Sequence, residues 1–125
     1  MAKFVLESYS LLLWVEVMMV LRNLGAICGL VRTNQLPRKP SHRGPSCSQL
    51  CQAINLACVL YPKRVLCLQR SAATTVLLRR HGIAAEMVIG ARVLPFRSHS
   101  WVEVDRVVVN DKPYMAEIYS PIERV

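Results

Sequence analysis

The amino-acid sequence predicts an α+β fold in which helices come first and a small antiparallel sheet follows. Two observations support this prediction. Before Gly82 the apolar residues form long runs bounded by helix-capping residues, whereas after Gly82 they form short stretches rich in β-branched residues. The 125 residues are enough for one domain and too few for two that fold independently. We expect an apolar helix and a basic linker over residues 1–45 and the core over residues 46–125.

The first predicted helix covers Phe4–Leu21, a stretch that is apolar and long enough to cross a bilayer. Glu7 and Glu16 are nine residues apart, so they would lie on opposite sides of this helix. No signal-peptide cleavage pattern follows the stretch. A helix packed against its own core is therefore the favoured interpretation, followed by a partner-docking helix and then by membrane association.

A proline-rich connection and a second helix are expected next. Val31–Ser46 contains three prolines and several basic side chains, which predicts an exposed linker rather than a helix. The second helix is expected over Ser46–Leu60, with Ser46 or Ser48 as its N-cap and Tyr61-Pro62 at its end.

The third predicted helix runs from near Cys67 to His81, and Gly82 is its expected C-cap. Arg79 and Arg80 stand in its last turn, where the helix dipole favours cations. Small residues fill much of its middle, which predicts a central helix packed on several sides.

Three strands are predicted after the third helix: Ile83–Leu94, Ser98–Val104 and Arg106–Asn110. A tight reversal at Asp105-Arg106 should join the last two strands. One more short edge strand is expected around Met115–Tyr119.

The chain is strongly basic, with a formal charge of +8 from 16 Lys and Arg against 8 acidic residues. Such a charge favours an acidic partner. Nucleic acid is disfavoured, because the charge comes without aromatic-interleaved basic repeats, zinc-finger spacing or an RNA-binding signature. An acidic peptide or protein fits the charge equally well, and the 53% of hydrophobic residues indicates apolar surface that a partner covers.

The chain has five cysteines, an odd number that argues for free thiols in a reducing, cytoplasmic compartment rather than for a disulfide framework. Cys47, Cys51 and Cys58 fall close to one helix face, which raises a metal site as an alternative. The cysteine and histidine spacing typical of zinc sites is missing, so small buried thiols are favoured. We expect no metal and no other cofactor.

The candidate catalytic residues are Cys67, His99 and Asp111. A cysteine acts as a nucleophile as its thiolate, which a helix N-terminus and a neighbouring imidazolium stabilise. Cys67 stands at a predicted helix start, whereas the other cysteines lie inside apolar segments. His99 lies on a predicted strand beside Trp101, where a packed core histidine is the default interpretation. Asp111 favours catalysis instead, because a carboxylate on the far ring nitrogen orients a catalytic base.

The pairing of the last two strands decides whether His99 and Asp111 can meet. Opposed residues of an antiparallel hairpin share a constant sum of residue numbers, and same-face pairing of His99 with Asp111 requires a sum of 210. A two-residue turn at Asp105-Arg106 would offset the pair by one residue unless a bulge restored it. Asp105 is rejected as the partner because it lies about 20 Å along the strand from His99.

Four motifs of this chain resemble those of the lasso-peptide leader peptidases, which are transglutaminase-like cysteine proteases: C-L-Q-R-S, V-I-G, H-S-W-V-E-V and V-N-D. The resemblance covers about Ser46 to Tyr119. It implies that Cys67 is the nucleophile, His99 the base and Asp111 the residue that orients the base. Ser100 stands where the family more usually has alanine, and a small residue of either kind should leave the histidine in place.

The resemblance also implies a transglutaminase-like, papain-like cysteine peptidase core of helices followed by a small antiparallel sheet. Such a peptidase removes the leader from a ribosomally made precursor peptide, which frees an amine for a separate macrolactam synthetase. Only about 45 residues precede the core. This is too few for a leader-recognition domain, so a separate leader-recognition protein is the expected partner.

Two functions of other kinds stay open at this point. One is a transglutaminase-type acyl transferase that uses the same three residues with an amine acceptor. The other is a non-catalytic binding module that acts through its apolar first helix and basic surface. For the peptidase, the Cys67 backbone N–H is expected to stabilise the oxyanion, and Gln52 and Gln69 are equal candidates for a second donor.

Overall fold

The α+β fold is confirmed by the computed structural model of the protein, which describes residues 2–21, 24–33, 46–93, 96–111 and 115–125. Along these residues the elements run in the order α1 (Ala2–Leu21), α2 (Leu24–Thr33), α3 (Cys47–Leu60), α4 (Cys67–Arg80), β1 (Ala85–Val93), β2 (Phe96–Val104), β3 (Val107–Val108), α5 (Met115–Ile118) and β4 (Ser120–Arg124). The strands form an antiparallel sheet in the order β3-β2-β1-β4.

Helix α4 is the central element, and it packs against α1, α3, β1 and β2. All of its residues from Ser71 to Leu78 are buried. The sheet contributes Met87 and Val102 to the same core. The prediction of a central helix packed on several sides is therefore confirmed.

The ends of α3 and α4 are set by the capping residues that the sequence predicted. Ser46 and Gln49 form a capping box, with the Gln49 N–H donating to the Ser46 hydroxyl at 3.2 Å and the Ser46 N–H donating to the Gln49 side chain at 3.0 Å. At the end of α4, Gly82 adopts a φ of 83° and its N–H donates to the Arg79 carbonyl at 3.1 Å. The Ile83 N–H then donates to the Leu78 carbonyl at 2.9 Å, which completes a Schellman motif.

Helix α1 packs one face into the core and exposes the other. Leu12 and Val15 are fully buried, so the favoured interpretation of a helix packed at home is confirmed for this face. The outward face carries large apolar side chains: Leu6, Leu13, Trp14, Val17, Val20 and Leu21. Within the described residues, α1 is the helix that is long and apolar enough to cross a membrane, judged by length and composition alone.

Two carboxylates attach α1 to the rest of the molecule at its borders. Glu7 Oε2 lies 3.1 Å from His81 Nε2, just beyond the end of α4. Glu16 pairs with Lys63 Nζ at 2.5 Å and accepts a hydrogen bond from the Tyr61 hydroxyl, both beyond the end of α3. The two acidic residues of this apolar helix therefore serve its packing.

The predicted linker begins later than expected, because Val31–Thr33 belongs to α2. The prediction of a non-helical connection is wrong for these three residues. The physical reason is that Val31 is fully buried and helps to hold α2 on the core, while the first proline of the segment comes only at Pro37. The rest of the predicted linker, and with it the expected boundary at residue 45, lies in residues 34–45, outside the described residues.

The C-terminal segment differs from its prediction. Met115–Ile118 is a helical turn rather than an edge strand, and the edge strand is β4, which pairs antiparallel with β1. Met115 is buried against Val88 and Trp101, a contact that its sequence neighbours do not reveal. The predicted strand Arg106–Asn110 is also shorter, since regular pairing is confined to β3.

Arg79 joins the end of α4 to three other parts of the chain. Its guanidinium donates to the carbonyls of Val31 at 2.6 Å, Val125 at 2.8 Å and Ala85 at 2.9 Å. Burial lowers the pKa of Arg79, although the nearby Glu86 opposes this effect. The sequence indicated only that Arg79 lies where the helix dipole favours a cation. In the structure its hydrogen bonds also link α4 to α2, to β1 and to the C-terminus.

Replacing Arg79 with methionine is expected to lower the free energy of unfolding by about 3 kcal/mol, because three carbonyls lose a charged donor. Urea denaturation followed by circular dichroism would measure the loss. Arg80→Met is the matched control, since Arg80 contributes a half-exposed ion pair with Glu7 at 3.9 Å and should cost less than about 1 kcal/mol. Equal losses in the two variants would contradict this role for Arg79.

Candidate active site

Cys67 is the first residue of α4, and its side chain is exposed. Leu66 precedes it as the N-cap residue and makes no side-chain hydrogen bond to the first turn. The backbone N–H groups at the start of this long, buried helix therefore direct positive potential toward the cysteine.

The other cysteines have a different environment. Cys28 is buried, and Cys47, Cys51 and Cys58 are half-buried. Burial raises the pKa of Cys28 and of Cys58, and burial together with the neighbouring Cys47 raises the pKa of Cys51 to about 12. These three thiols stay protonated at neutral pH. The prediction that Cys67 alone stands at a helix start is wrong, because Cys47 is the first residue of α3; exposure distinguishes the two, since Cys47 is half-buried and Cys67 is exposed.

The cysteines of α3 lie side by side on that helix, with Cys47 Sγ 4.0 Å from Cys51 Sγ. Among the described residues, no group of three or more His, Cys, Asp or Glu side chains could hold a metal ion.

His99 and Asp111 form a close pair, with His99 Nε2 2.6 Å from Asp111 Oδ2. In the neutral imidazole a carboxylate partner places the ring proton on Nε2, because the carboxylate accepts. The other ring nitrogen, Nδ1, is then the proton acceptor of the ring. This is the arrangement that a catalytic base needs.

The pair forms by the second of the two routes that the sequence left open, a two-residue turn followed by an irregularity. Strands β2 and β3 pair Val104 with Val107, so the residue numbers sum to 211 and not to the 210 that direct same-face pairing of His99 with Asp111 would require. The cause is a two-residue turn in which Asp105 and Arg106 both have positive φ, 52° and 64°. Such a turn matches the twist of an antiparallel hairpin.

Asn110 provides the irregularity that lets Asp111 contact His99 in spite of the two-residue turn. The Val109 N–H donates to the Val102 carbonyl at 3.0 Å, in step with the hairpin. The Val102 N–H, however, donates to the side-chain oxygen of Asn110 at 2.8 Å, where a regular hairpin would offer it the carbonyl of Val109. The chain thereby leaves the ladder, and Asp111 reaches His99. The sequence analysis allowed for such an irregularity but did not identify Asn110 as its source.

Cys67, His99 and Asp111 all line one cavity of about 210 Å³. The remaining lining residues are Arg64, Val65, Arg70, Ser71, Ser100 and Asn110. A second, more apolar cavity of about 100 Å³ shares Cys67, His99 and Ser100 with the first and is otherwise lined by Leu68, Ile89 and Ser98. The three residues chosen from the sequence are thus brought to one place, where two cavities meet at the cysteine and the histidine.

Aromatic rings support His99 from the face of the sheet. Trp101 stacks beside it at a centroid distance of 6.2 Å, and Tyr119 lies at 5.3 Å. The default interpretation of His99 as a packed histidine is therefore partly right, yet the ring also contacts Asp111 and a cavity. Gly90 pairs with His99 across β1 and β2, and the absence of a side chain there makes room for the two aromatic rings.

Substituting Gly90 with alanine is expected to damage the site and the fold together. A Cβ at this position would lie 2.6 Å from the Trp101 ring and 2.9 Å from Tyr119 Cβ, so the stack under His99 must shift. We expect a loss of roughly 1–3 kcal/mol in unfolding free energy, as in other overpacked cores. Thermal denaturation of Gly90→Ala beside Gly29→Ala tests this, because a Cβ at Gly29 meets no atom within 4 Å and should not destabilise its helix. A Gly90→Ala protein as stable as Gly29→Ala would refute the argument.

Glu103 holds Trp101 in place, which the sequence analysis missed. The Trp101 Nε1–H donates to Glu103 at 2.8 Å, and Arg124 of β4 donates to the other carboxylate oxygen at 2.8 Å. Burial alone would raise the pKa of Glu103, but the hydrogen bonds from Arg124 and Trp101 outweigh it and lower the pKa. The glutamate of the H-S-W-V-E-V motif therefore orients the tryptophan that supports the histidine.

The two glutamines proposed as second oxyanion donors lie elsewhere. Gln69 is buried and donates to the Leu12 carbonyl of α1 at 2.9 Å, so its amide is engaged in packing and that candidate is wrong. Gln52 is exposed on α3 and does not belong to the described lining of either cavity. The backbone N–H of Cys67 keeps its predicted place at the helix start.

Comparison with known proteins shows which family the chain belongs to. The sequence profile of the transglutaminase-like superfamily matches residues 11–124, and the chain belongs to that superfamily. Its members are typically cysteine-dependent enzymes. The chain is also 46% identical over 59 residues to the microcin J25-processing protein McjB of Escherichia coli. The aligned part is 47% of this chain and 28% of that protein. No solved structure gives a significant match.

Proposed function

We propose that this protein is a cysteine peptidase that removes the leader from a ribosomally made lasso-peptide precursor. The observation that carries the proposal is that Cys67, at the start of α4, lines one cavity together with the hydrogen-bonded pair of His99 and Asp111. Membership of a superfamily of cysteine-dependent enzymes supports the chemistry. The likeness to a microcin-processing protein supports the pathway.

The first half of the reaction forms a thioester. His99 Nδ1 takes the proton of the Cys67 thiol, and the thiolate attacks the carbonyl carbon of the scissile peptide bond. Asp111 holds the ring and stabilises the imidazolium. The Cys67 backbone N–H and the start of α4 stabilise the oxyanion, after which the C–N bond breaks and His99 donates its proton to the departing amine.

The second half releases the leader. Water enters the place of the departed amine, His99 removes one of its protons, and the hydroxide attacks the thioester carbonyl. The C–S bond breaks and the proton returns to the Cys67 sulfur, so the leader leaves with a carboxyl group and the enzyme is restored. Each step uses the three side chains, the backbone and water.

The proposal includes partners and a compartment. A separate leader-recognition protein presents the precursor, and the amine that cleavage frees is the substrate of a macrolactam synthetase. Five free cysteines fit a reducing, cytoplasmic setting. The net charge of +8 fits an acidic peptide or protein partner, and the sequence lacks the nucleic-acid-binding signatures that would favour nucleic acid instead.

Mass spectrometry of a precursor encoded beside this protein tests the function. The precursor is incubated with the protein and with a leader-binding protein that has first been shown to bind the precursor. We expect cleavage at a single bond between leader and core, and no cleavage after treatment of the protein with iodoacetamide. An intact precursor in the presence of a bound partner would overturn the peptidase and favour a binding module.

The same reaction distinguishes a transglutaminase-type acyl transferase, which superfamily membership keeps as a second candidate. A primary amine is added at increasing concentration, and the mass of the leader product is measured by mass spectrometry. A peptidase yields the leader with a free carboxyl group, whereas an acyl transferase yields the leader amide of the added amine. Quantitative conversion to the amide at low amine concentration would replace hydrolysis with acyl transfer as the function.

A further inference from the structure

The larger cavity has a basic wall. Arg64 and Arg70 both line it beside Cys67, and Asp111, which is bound to His99, is the carboxylate of its described lining. Arg70 donates to the side-chain oxygen of Asn55, a neutral partner. Neither arginine forms an ion pair with a described residue, and the described lining therefore carries two guanidinium groups, one of them on the exposed Arg64, against the one carboxylate of Asp111.

Two buried hydroxyl groups line the same cavity. Ser71 is 1% exposed and Ser100 is 4% exposed. Neither Oγ has a hydrogen-bond partner among the described residues, and Arg70 Nε is in the same condition. Buried polar groups are nearly always paired in folded proteins, and leaving one unpaired is costly. Three unpaired donors around one cavity therefore indicate a ligand that accepts hydrogen bonds.

The donors present are typical of a carboxylate site. A guanidinium offers several N–H groups in a plane that matches the two oxygens of a carboxylate, and hydroxyl groups can supply further hydrogen bonds. Cys67, at the start of α4, lines this cavity, so the helix start adds positive potential to it. The smaller cavity shares Cys67, His99 and Ser100 with the larger one and has instead the apolar side chains of Leu68 and Ile89. A peptide bound at Cys67 would therefore have a basic subsite and an apolar subsite next to it.

We propose that the larger cavity binds an acidic side chain of the peptide substrate, close to the scissile bond and on one side of it. The inference rests on the proposed peptidase function and adds its substrate preference. Arg70 is the main contact, with Ser71 and Ser100 as hydroxyl donors and Arg64 at the exposed rim. The carboxylate newly formed on the leader product has the same chemistry and is the competing occupant.

Cleavage rates for a set of precursor variants test the preference. Aspartate and its neutral isostere asparagine are placed in turn at each of the positions flanking the scissile bond, and kcat/KM is measured with the leader-binding partner present. At one position on one side we expect the aspartate precursor to be cleaved roughly 10–100-fold more efficiently than the asparagine precursor. In Arg70→Gln the ratio of the two kcat/KM values should fall to within about threefold.

Matched variants separate a charge effect from a folding effect. Arg106→Gln, at the tip of the hairpin, should leave the ratio unchanged, because Arg106 is outside the described lining of the cavity. Arg64→Gln, at an exposed position, should lower the ratio without loss of stability, which keeps the test decisive if Arg70→Gln does not fold. Added salt should lower the ratio in the wild type and leave it unchanged in Arg70→Gln.

Three outcomes would overturn the inference. Equal cleavage of aspartate and asparagine precursors at every position would remove the acidic preference and leave the peptidase itself intact. A preference that persists in both arginine variants would place the carboxylate elsewhere. The third outcome is that no position shows a preference for aspartate, while the leader with a free carboxyl group inhibits the wild type more strongly than the leader amide does and this difference is lost in the arginine variants. The cavity would then bind the product instead. Failure to cleave any precursor would instead count against the proposed function.

Discussion

Replacing Cys67 with alanine is expected to abolish leader removal, with a fall in kcat of roughly 10⁴-fold or more. In the proposed mechanism the Cys67 thiol forms the covalent intermediate, and no other side chain in the described lining of the cavity is a comparable nucleophile at neutral pH. Since Cys67 is exposed, the change removes little buried surface and should leave the unfolding free energy nearly unchanged. Quenched time points of precursor cleavage, followed by mass spectrometry, would measure the residual rate.

Cys47→Ala is the control for this experiment. Cys47 is a half-buried cysteine on a different helix and does not line either cavity as described. Its alanine variant should cleave at the wild-type rate. Cleavage by Cys67→Ala at a rate near that of Cys47→Ala would exclude the thioester mechanism.

Replacing Asp111 with alanine is expected to lower kcat by roughly 10³-fold, because His99 loses the carboxylate 2.6 Å from its Nε2. Without that partner neither the ring orientation nor the tautomer is defined, and the imidazolium loses its counter-charge. Asp111→Asn should fall by less, roughly 10–100-fold, since an amide oxygen can still accept from Nε2 while the charge is gone. The difference in kcat between Asp111→Ala and Asp111→Asn separates the effect of orienting the His99 ring from the effect of the negative charge.

Asp105→Asn provides the matched control for the Asp111 variants. Asp105 sits at the hairpin tip with a φ of 52°, a conformation that asparagine tolerates well. Its asparagine variant should keep the wild-type kcat and stability. A drop in kcat for Asp105→Asn as large as that for Asp111→Asn would show that the hairpin, rather than the His99 partner, is responsible.

The features that were predictable from the sequence are those with local signals. The start of α4 at Cys67 and its end at Gly82 follow from a change of apolar period and from a glycine whose positive φ the helix end requires. The capping box at Ser46 is readable in the same way, from a serine and a glutamine three residues apart. Cys67 and His99 were chosen as candidates because each stands at a chemically meaningful place on such an element, and Asp111 was chosen because its carboxylate follows the predicted partner strand of His99.

The features that were missed depend on contacts between distant parts of the chain. Nothing near Arg79 in sequence indicates that its guanidinium meets the carbonyls of Val31 and Val125. The exit of Asn110 from the hairpin depends on a side chain taking the place of a backbone carbonyl, which alternation of residue types does not encode. The helical turn at Met115 is stabilised by the burial of the Met115 side chain against Val88 and Trp101, which are distant in sequence.

The attachment of α1 limits how its outward apolar face can be covered. The helix contributes the carbonyl that accepts from Gln69, two residues beyond Cys67, and the carboxylates that pair with Lys63 and His81. Withdrawing α1 to thread it through a bilayer would strip these partners away and uncover the core side of α4. A partner that covers Trp14 and its neighbours is therefore expected to bind the outward face of α1 while this helix stays packed against the core.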